Sequence, residues 1–203
     1  TNYEWNLNNK LTKITDALSN IRNFTYDGLG RRLTAQDLHT SGDSTFGTWT
    51  YVYDNAGNIT QTVSPNSLTT NYTYNDINQQ LTEDTTGVIG TEITYTYGGC
   101  TNGVNRLCSV SMTSGVNYSY TYDSNGNVTS EQKTINSTPY TTSYTYDRQG
   151  NKLVITYPDN AEVRYTFNTA GLLEKIERKE SGGSYTDAIS NLDYSSANQI
   201  TTQ

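Results

Sequence analysis

Nine times along this chain an aromatic residue is followed by a short polar turn. The anchors are Trp5, Tyr26, Tyr53, Tyr74, Tyr97, Tyr122, Tyr146, Phe167 and Tyr194, spaced 21 to 27 residues apart. A repeat of that period constrains the fold more than any single motif does. Units this small cannot each bury a core, so they must gain stability by stacking on their neighbours.

The pattern inside the repeat is tighter than its period. Two residues before the anchor stands another aromatic in eight copies: Tyr3, Phe24, Tyr51, Tyr72, Tyr95, Tyr120, Tyr144 and Tyr165. A spacing of two places both rings on one face of a β-strand, with the Thr, Val or Ser between them on the other. Turn formers follow the anchor: Asp27 to Gly30, Asp54 to Gly57 and Asn58, Asp123 to Gly126 and Asn127, Asp147 to Gly150 and Asn151. Asp can accept backbone N–H bonds two residues on, and Gly or Asn supplies the positive φ that closes a four- or five-residue hairpin loop. An aliphatic then opens the return strand, at Leu11, Leu33, Ile59, Leu81, Leu107, Val128, Leu153, Leu173 and Ile200. Each repeat therefore reads as one β-hairpin. Insertions fall in the second, variable turn, around Ser41 to Asp43, Ser64 to Asn66 and Ser181 to Gly183. The segment 172–180 is the nearest thing to a helical pattern. Phe167 and the turn from Asn168 to Gly171 place it in hairpin register, so it reads as strand.

Composition supports sheet over disorder. Only 33% of the 203 residues are hydrophobic, and mean hydropathy is -0.73. Yet 18 residues are tyrosine, which buries its ring while keeping its hydroxyl hydrated, and disordered chains are poor in aromatics. The net charge of -7, with 13 basic residues, argues against nucleic-acid and anionic-membrane partners. The one basic cluster, Lys175, Arg178 and Lys179, is interleaved with Glu174, Glu177 and Glu180 and reads as a solvated strand edge. No stretch approaches the ~18 apolar residues of a membrane helix. The chain opens at Thr1 without an initiator methionine and reads as a segment of a longer polypeptide, so the missing export signal is uninformative.

Nine hairpins give roughly eighteen short strands, and twisted open sheets rarely exceed ~10 strands without curling or splitting. The expected fold is all-β: one array, residues 1–203, of tandem hairpins forming a curled or spiral sheet.

The motif Tyr-x-Tyr-Asp-x-x-Gly-Asn/Arg-Leu/Ile/Val-Thr, with Arg32-Leu33-Thr34 and Asn58-Ile59-Thr60 as its second half, resembles the YD repeat, also called the RHS repeat. The enlarged turn from Gly98 to Cys108 resembles a variant in bacterial members. The resemblance covers essentially the whole chain. It implies a β-strand spiral that encloses a hollow shell, as in bacterial RHS proteins, insecticidal Tc toxin complexes and teneurins. In bacterial members the shell commonly holds a C-terminal toxin. Family shells use many more repeats, and no proline-rich motif ending in Asp-Pro-x-Gly-Leu is present. The resemblance thus implies a wall segment, secreted or at the cell surface, whose partners are the rest of its shell and an enclosed toxin.

Catalytic and metal chemistry finds little purchase. A hydrolase needs a nucleophile, a base and an orienting group. The single histidine, His39, lies with Asp37 and Ser41 in a stretch that reads as a solvated loop. Asp27, Asp54, Asp123 and Asp147 recur at one turn position, which points to turn chemistry rather than a catalytic pair. Asp123 to Asn127 resembles the start of a calcium loop, but Glu131 falls too early for the twelfth place. No cofactor is expected. Cys100 and Cys108 flank the enlarged turn; they read either as a disulfide, worth about 2–3 kcal/mol on loop-entropy grounds, or as two buried thiols. Sequons at Asn23, Asn58, Asn71, Asn117, Asn127 and Asn136 arise from the repeat itself. Two further expectations concern partners. A row of exposed tyrosines could stack on sugar rings, giving a carbohydrate-binding or adhesion module as the alternative function. Open sheet edges could template self-association.

Overall fold

In a computed structural model, which describes residues 1–87 and 89–202, every anchor ends a β-strand. The chain divides by contact density into two units, Thr1–Thr94 and Tyr95 onward. The first contains β1 (Asn2–Trp5), β2 (Leu11–Thr15), β3 (Asn20–Tyr26), β4 (Arg32–Gln36), β5 (His39–Thr40), β6 (Thr48–Tyr53), β7 (Ile59–Val63), β8 (Thr69–Tyr74) and β9 (Gln80–Thr85). The first two residues of β10 (Ile93–Tyr97) pair with β9. The second contains β11 (Leu107–Met112), β12 (Val116–Tyr122), β13 (Val128–Ile135), β14 (Thr138–Tyr146), β15 (Lys152–Thr156), β16 (Glu162–Phe167), β17 (Leu173–Lys179), β18 (Thr186–Ile189), β19 (Asp193–Tyr194) and β20 (Ile200–Thr202).

Within each unit the strands pair antiparallel, mostly each with the next in sequence. Eighteen of the described strands are the anchor and return strands of the nine repeats. The two others, β5 and β18, lie in the two longest spacings, between Tyr26 and Tyr53 and between Phe167 and Tyr194. The inserted residues there form extra strands, pairing with β3 and β17 respectively. The segment Leu173–Lys179 is strand, as the turn before it dictates.

No described side chain is fully buried, and only Phe24, Cys108, Val110 and Leu192 represent the apolar residues below a tenth exposure. Stability must therefore come from many half-buried contacts along the sheet. From Phe24 onward the paired aromatics are buried or half-buried, while Tyr3 and Trp5 of the first pair are exposed; Thr25, Val52, Thr73, Thr96, Thr145 and Thr166, between the later pairs, are exposed. Rings lie opposite aliphatics, as in Tyr144↔Ile155, Tyr165↔Ile176 and Phe167↔Leu173. Such pairs contribute about 0.2–1 kcal/mol each. On the opposite face threonines pair by hydroxyl: Thr25 with Thr34 at 2.7 Å, Thr73 with Thr82 at 2.6 Å and Thr121 with Thr129 at 2.9 Å.

Candidate functional site: the locks between repeats

The turn is the first component. Among the described residues eleven turns share one closure, beginning at Asn6, Asp16, Asp27, Asp54, Ser64, Asn75, Asp123, Asp147, Tyr157, Asn168 and Ser195. The N–H of the first residue donates to the carbonyl of the fifth, and the N–H of the fourth donates back to the first. The fourth residue is always left-handed, for example Gly57 at φ 93° and Asn78 at φ 62°. This is a type I turn closed by a bulge glycine or its Asn and Ser equivalents. The bulge places a register shift immediately before each of the eight anchors that these turns follow.

The first-position aspartate holds the loop shut. Asp123 Oδ1 accepts from the N–H groups of Asn125 and Asn127, both at 2.9 Å, while Oδ2 accepts from Asn127 Nδ2 at 2.9 Å. Asp147 repeats this with Gln149 and Asn151, and Asp54 does so with Asn58. Asp27 bonds Leu29 and the Arg31 backbone, and its Oδ2 accepts from Arg31 Nε at 2.6 Å. These bonds favour the carboxylate. The side-chain amides of Asn58, Asn127 and Asn151 lower the pKa of Asp54, Asp123 and Asp147, and the Arg31 backbone N–H lowers that of Asp27.

The anchor hydroxyl is the second component, and it joins one repeat to the previous one. Six anchor tyrosines donate to the carbonyl of the first residue of the preceding return strand. The pairs are Tyr26 to Leu11 at 2.7 Å, Tyr53 to Arg32 at 2.8 Å, Tyr74 to Ile59 at 2.8 Å, Tyr122 to Leu107 at 2.6 Å, Tyr146 to Val128 at 2.8 Å and Tyr194 to Leu173 at 2.6 Å. Phe167 occupies the same place without a hydroxyl. Burial of the ring raises the pKa of Tyr53, Tyr74, Tyr122 and Tyr146.

The fifth turn residue is the third component, because it reaches forward. Arg31 donates to Asp54 O at 2.9 Å and lies 4.8 Å from the Tyr53 ring centre. Asn58 donates to Asn78 Oδ1 at 2.8 Å. A side chain on Gly30 would strike Lys10, and one on Gly126 would strike Arg106. Glycine at these two positions serves both the turn and the approach of its neighbour.

The remaining candidates from the sequence fall as follows. Tyr51, Tyr72, Tyr95, Tyr120, Tyr144 and Tyr165 are half-buried beside their anchors, as is Tyr97 at the end of β10. Gly150 and Gly171 hold the left-handed turn position. Cys100, inside an enlarged turn closed by Gly98 and Arg106, is bonded to Cys108 on β11, with Cα atoms 5.6 Å apart. Among the described residues no group of three or more His, Cys, Asp or Glu is placed to hold a metal.

Two expectations need correction. His39 is not a solvated loop residue. It is in β5, 8% exposed, stacked at 3.7 Å on Phe46 with Nδ1 2.7 Å from Asp37 O. The insertion folds back on itself through the bond from Asp37 N to Gly47 O, with His39 and Phe46 both in the segment between. The charged run on β17 is not simply a solvated edge either. Glu177 is 8% exposed and pairs with Arg164 at 2.7 Å and Lys175 at 3.2 Å, and Lys175 also pairs with Asp187 at 2.7 Å. Cross-strand partners on β16 and β18 produce this network, and they are distant in sequence.

Together these features define an all-β repeat scaffold whose units are fastened one to the next. Residues 5–44 match the model of the RHS Repeat family. The chain is similar in fold to the solved structure of TcdB2-TccC3-Cdc42, with a TM-score of 0.80 and 17% identity over 98% of this chain and 11% of that one. It is equally similar, by the same measures, to TcdB2-TccC3 without its hypervariable C-terminal region. Similarity to TcdB2-TccC3 itself has a TM-score of 0.68 at 15% identity, over 98% of this chain and 12% of that one. The chain therefore spans about a tenth of the length of these structures. No curated protein sequence gives a significant match. The family match thus covers residues 5–44, and the likeness to the solved structures, at 15–17% identity, is one of fold.

Proposed function

We propose that the chain is a structural wall segment of an exported bacterial YD/RHS-repeat shell that encloses or scaffolds a C-terminal toxin or effector. In this reading residues 1–203 form one array of about nine hairpin units within a larger protein, and the segment has no catalytic role. The observation that carries it is the fold match over 98% of the chain to structures about nine times longer. The locks support it too: each hairpin is fixed to its neighbours by local bonds, so the same unit can be added many times. The wall's other partners would be further repeats, and the isolated segment would self-associate through sheet edges. Clean monomeric sedimentation over a wide concentration range would count against that last point.

The test is limited proteolysis of the longer protein that carries this segment. The region C-terminal to the repeats should resist cleavage in the intact protein. It should become sensitive when hairpins 120–167 are deleted. Equal cleavage with and without the hairpins would overturn enclosure.

One observation favours the alternative, carbohydrate binding, at Trp49 rather than along the tyrosine ladder, whose rings from Tyr26 to Tyr194 are half-buried. Trp49 is 39% exposed and stands in a groove with Thr62, Ser64, Thr70 and Asn66. An aromatic face beside hydroxyl and amide groups suits a sugar ring. Glycan-array screening with a Trp49→Ala control discriminates: saturable binding lost in the variant would bring this reading forward.

A further inference from the structure

The enlarged turn after Tyr97 departs from the rule that the eleven regular turns obey. It runs nine residues, from Gly98 to Arg106, and the Gly98 N–H donates to Arg106 O at 3.0 Å. Cys100 within it is tied by a disulfide to Cys108 on β11. Gly103 N donates to Cys100 O, and Cys100 N points at Cys108 Sγ at 3.3 Å. A side chain on Gly103 would overlap both sulfurs.

This loop grips the anchor of the following repeat. Tyr122 N donates to Thr101 O at 3.1 Å, and Asn102 Nδ2 donates to Tyr122 O at 2.9 Å. The Tyr122 hydroxyl reaches Leu107 O, and the Arg106 guanidinium lies 5.6 Å from the Tyr122 ring centre. The direct pairing of β11 with β12 spans Ser109↔Ser119 to Ser111↔Asn117 and does not reach the anchor. Residues 101 and 102 therefore take the place of a strand at the end of β12. Both are held between the two cysteines.

We propose that Cys100–Cys108 is a thiol–disulfide exchange site, and that its reduction releases the clasp on Tyr122. Cys108 is 7% exposed, whereas Cys100 is half-buried, so attack is expected at Cys100, the more exposed of the two residues. A thiolate from a small thiol such as glutathione attacks Cys100 Sγ, and Cys108 leaves as thiolate and takes a proton. A second thiol then displaces Cys100 from the mixed disulfide. Two thiols are oxidised to one disulfide, and the protein disulfide is reduced to two thiols. Freed from the ring closure, residues 99–105 regain conformational freedom, and the backbone of Tyr122 loses its partners. The end of β12 becomes an unpaired edge. The inference stands whether or not the segment lines a shell.

The test is native-state hydrogen exchange of the full chain with and without glutathione, with thiols counted by mass. Reduction should speed exchange of the Tyr122 amide on the order of tenfold or more, while β13 to β16 stay protected. Asn102→Ala, with the disulfide intact, should speed it partly. Two free thiols with an unchanged Tyr122 amide would overturn the clasp. So would loss of protection throughout the second unit, which would make the bond a global staple. Resistance of the native chain to glutathione, when the denatured chain is reduced, would overturn the exchange site.

Discussion

At the scale of the residue, tyrosine is repeated because it performs two tasks from one position. Its ring covers the sheet, and its hydroxyl donates to a carbonyl at the start of the previous return strand. A net hydrogen bond contributes about 0.5–1.5 kcal/mol. Tyr146→Phe should therefore lower stability by about that amount, read from urea midpoints. Phe167→Tyr is the converse: the new hydroxyl would meet the carbonyl of Lys152, and stability should rise. No gain would mean that the lock depends on features this repeat lacks.

The pH dependence follows from the same residues. The turn aspartates have lowered pKa values in the fold. Their contribution is complete above the unfolded value, near 3.9, and is lost as pH falls through the lower folded values. The anchor tyrosines have raised values. Their contribution is complete below about 10 and is lost as pH rises through the raised values. Thermal unfolding should thus be level across the neutral range and fall in strong acid and strong alkali. A Tm that declines steadily from neutrality to mild acid would contradict the turn mechanism.

At the scale of the element, the hairpin was legible in the sequence because its determinants are local. Asp at the first turn position, Gly or Asn at the fourth, and aromatics two apart all act within one repeat. The locks were not legible. The partner of each anchor hydroxyl is a main-chain carbonyl in another repeat, and a carbonyl has no sequence signature. Arg31 and Asn58 read as ordinary polar turn residues until the next turn is placed beside them. His39 was misread because Phe46 covers it from across an insertion whose length gives no hint of its folding. Glu177 was misread because its partners, Arg164 and Lys175, meet it across and along the sheet. That network has its own consequence. Glu177→Ala should lower the denaturant midpoint more than Glu180→Ala, since Glu177 is buried between two cations and Glu180 is exposed. Equal effects would show that the network contributes nothing beyond surface charge.

At the scale of the whole molecule, the absence of fully buried side chains among the described residues fits stability that is distributed along the repeats. Repeat arrays behave as sums of unit and neighbour terms. Removing the last hairpin, residues 193–202, takes the Tyr194 hydroxyl from Leu173 O but should leave the amides of the preceding strands, β17 included, protected against exchange. The repeat fold was legible from nine copies of a short motif, because each copy carries its own strand and turn determinants.

The measurement that bears most directly on the wall-segment reading is electron cryomicroscopy of the longer protein that carries this segment. The result expected is a closed shell with residues 1–203 in its wall, each anchor tyrosine bonded to the preceding return strand, and density for a C-terminal cargo inside. A segment projecting freely from the molecule, with its hairpins exposed on both faces and no enclosed volume, would contradict it.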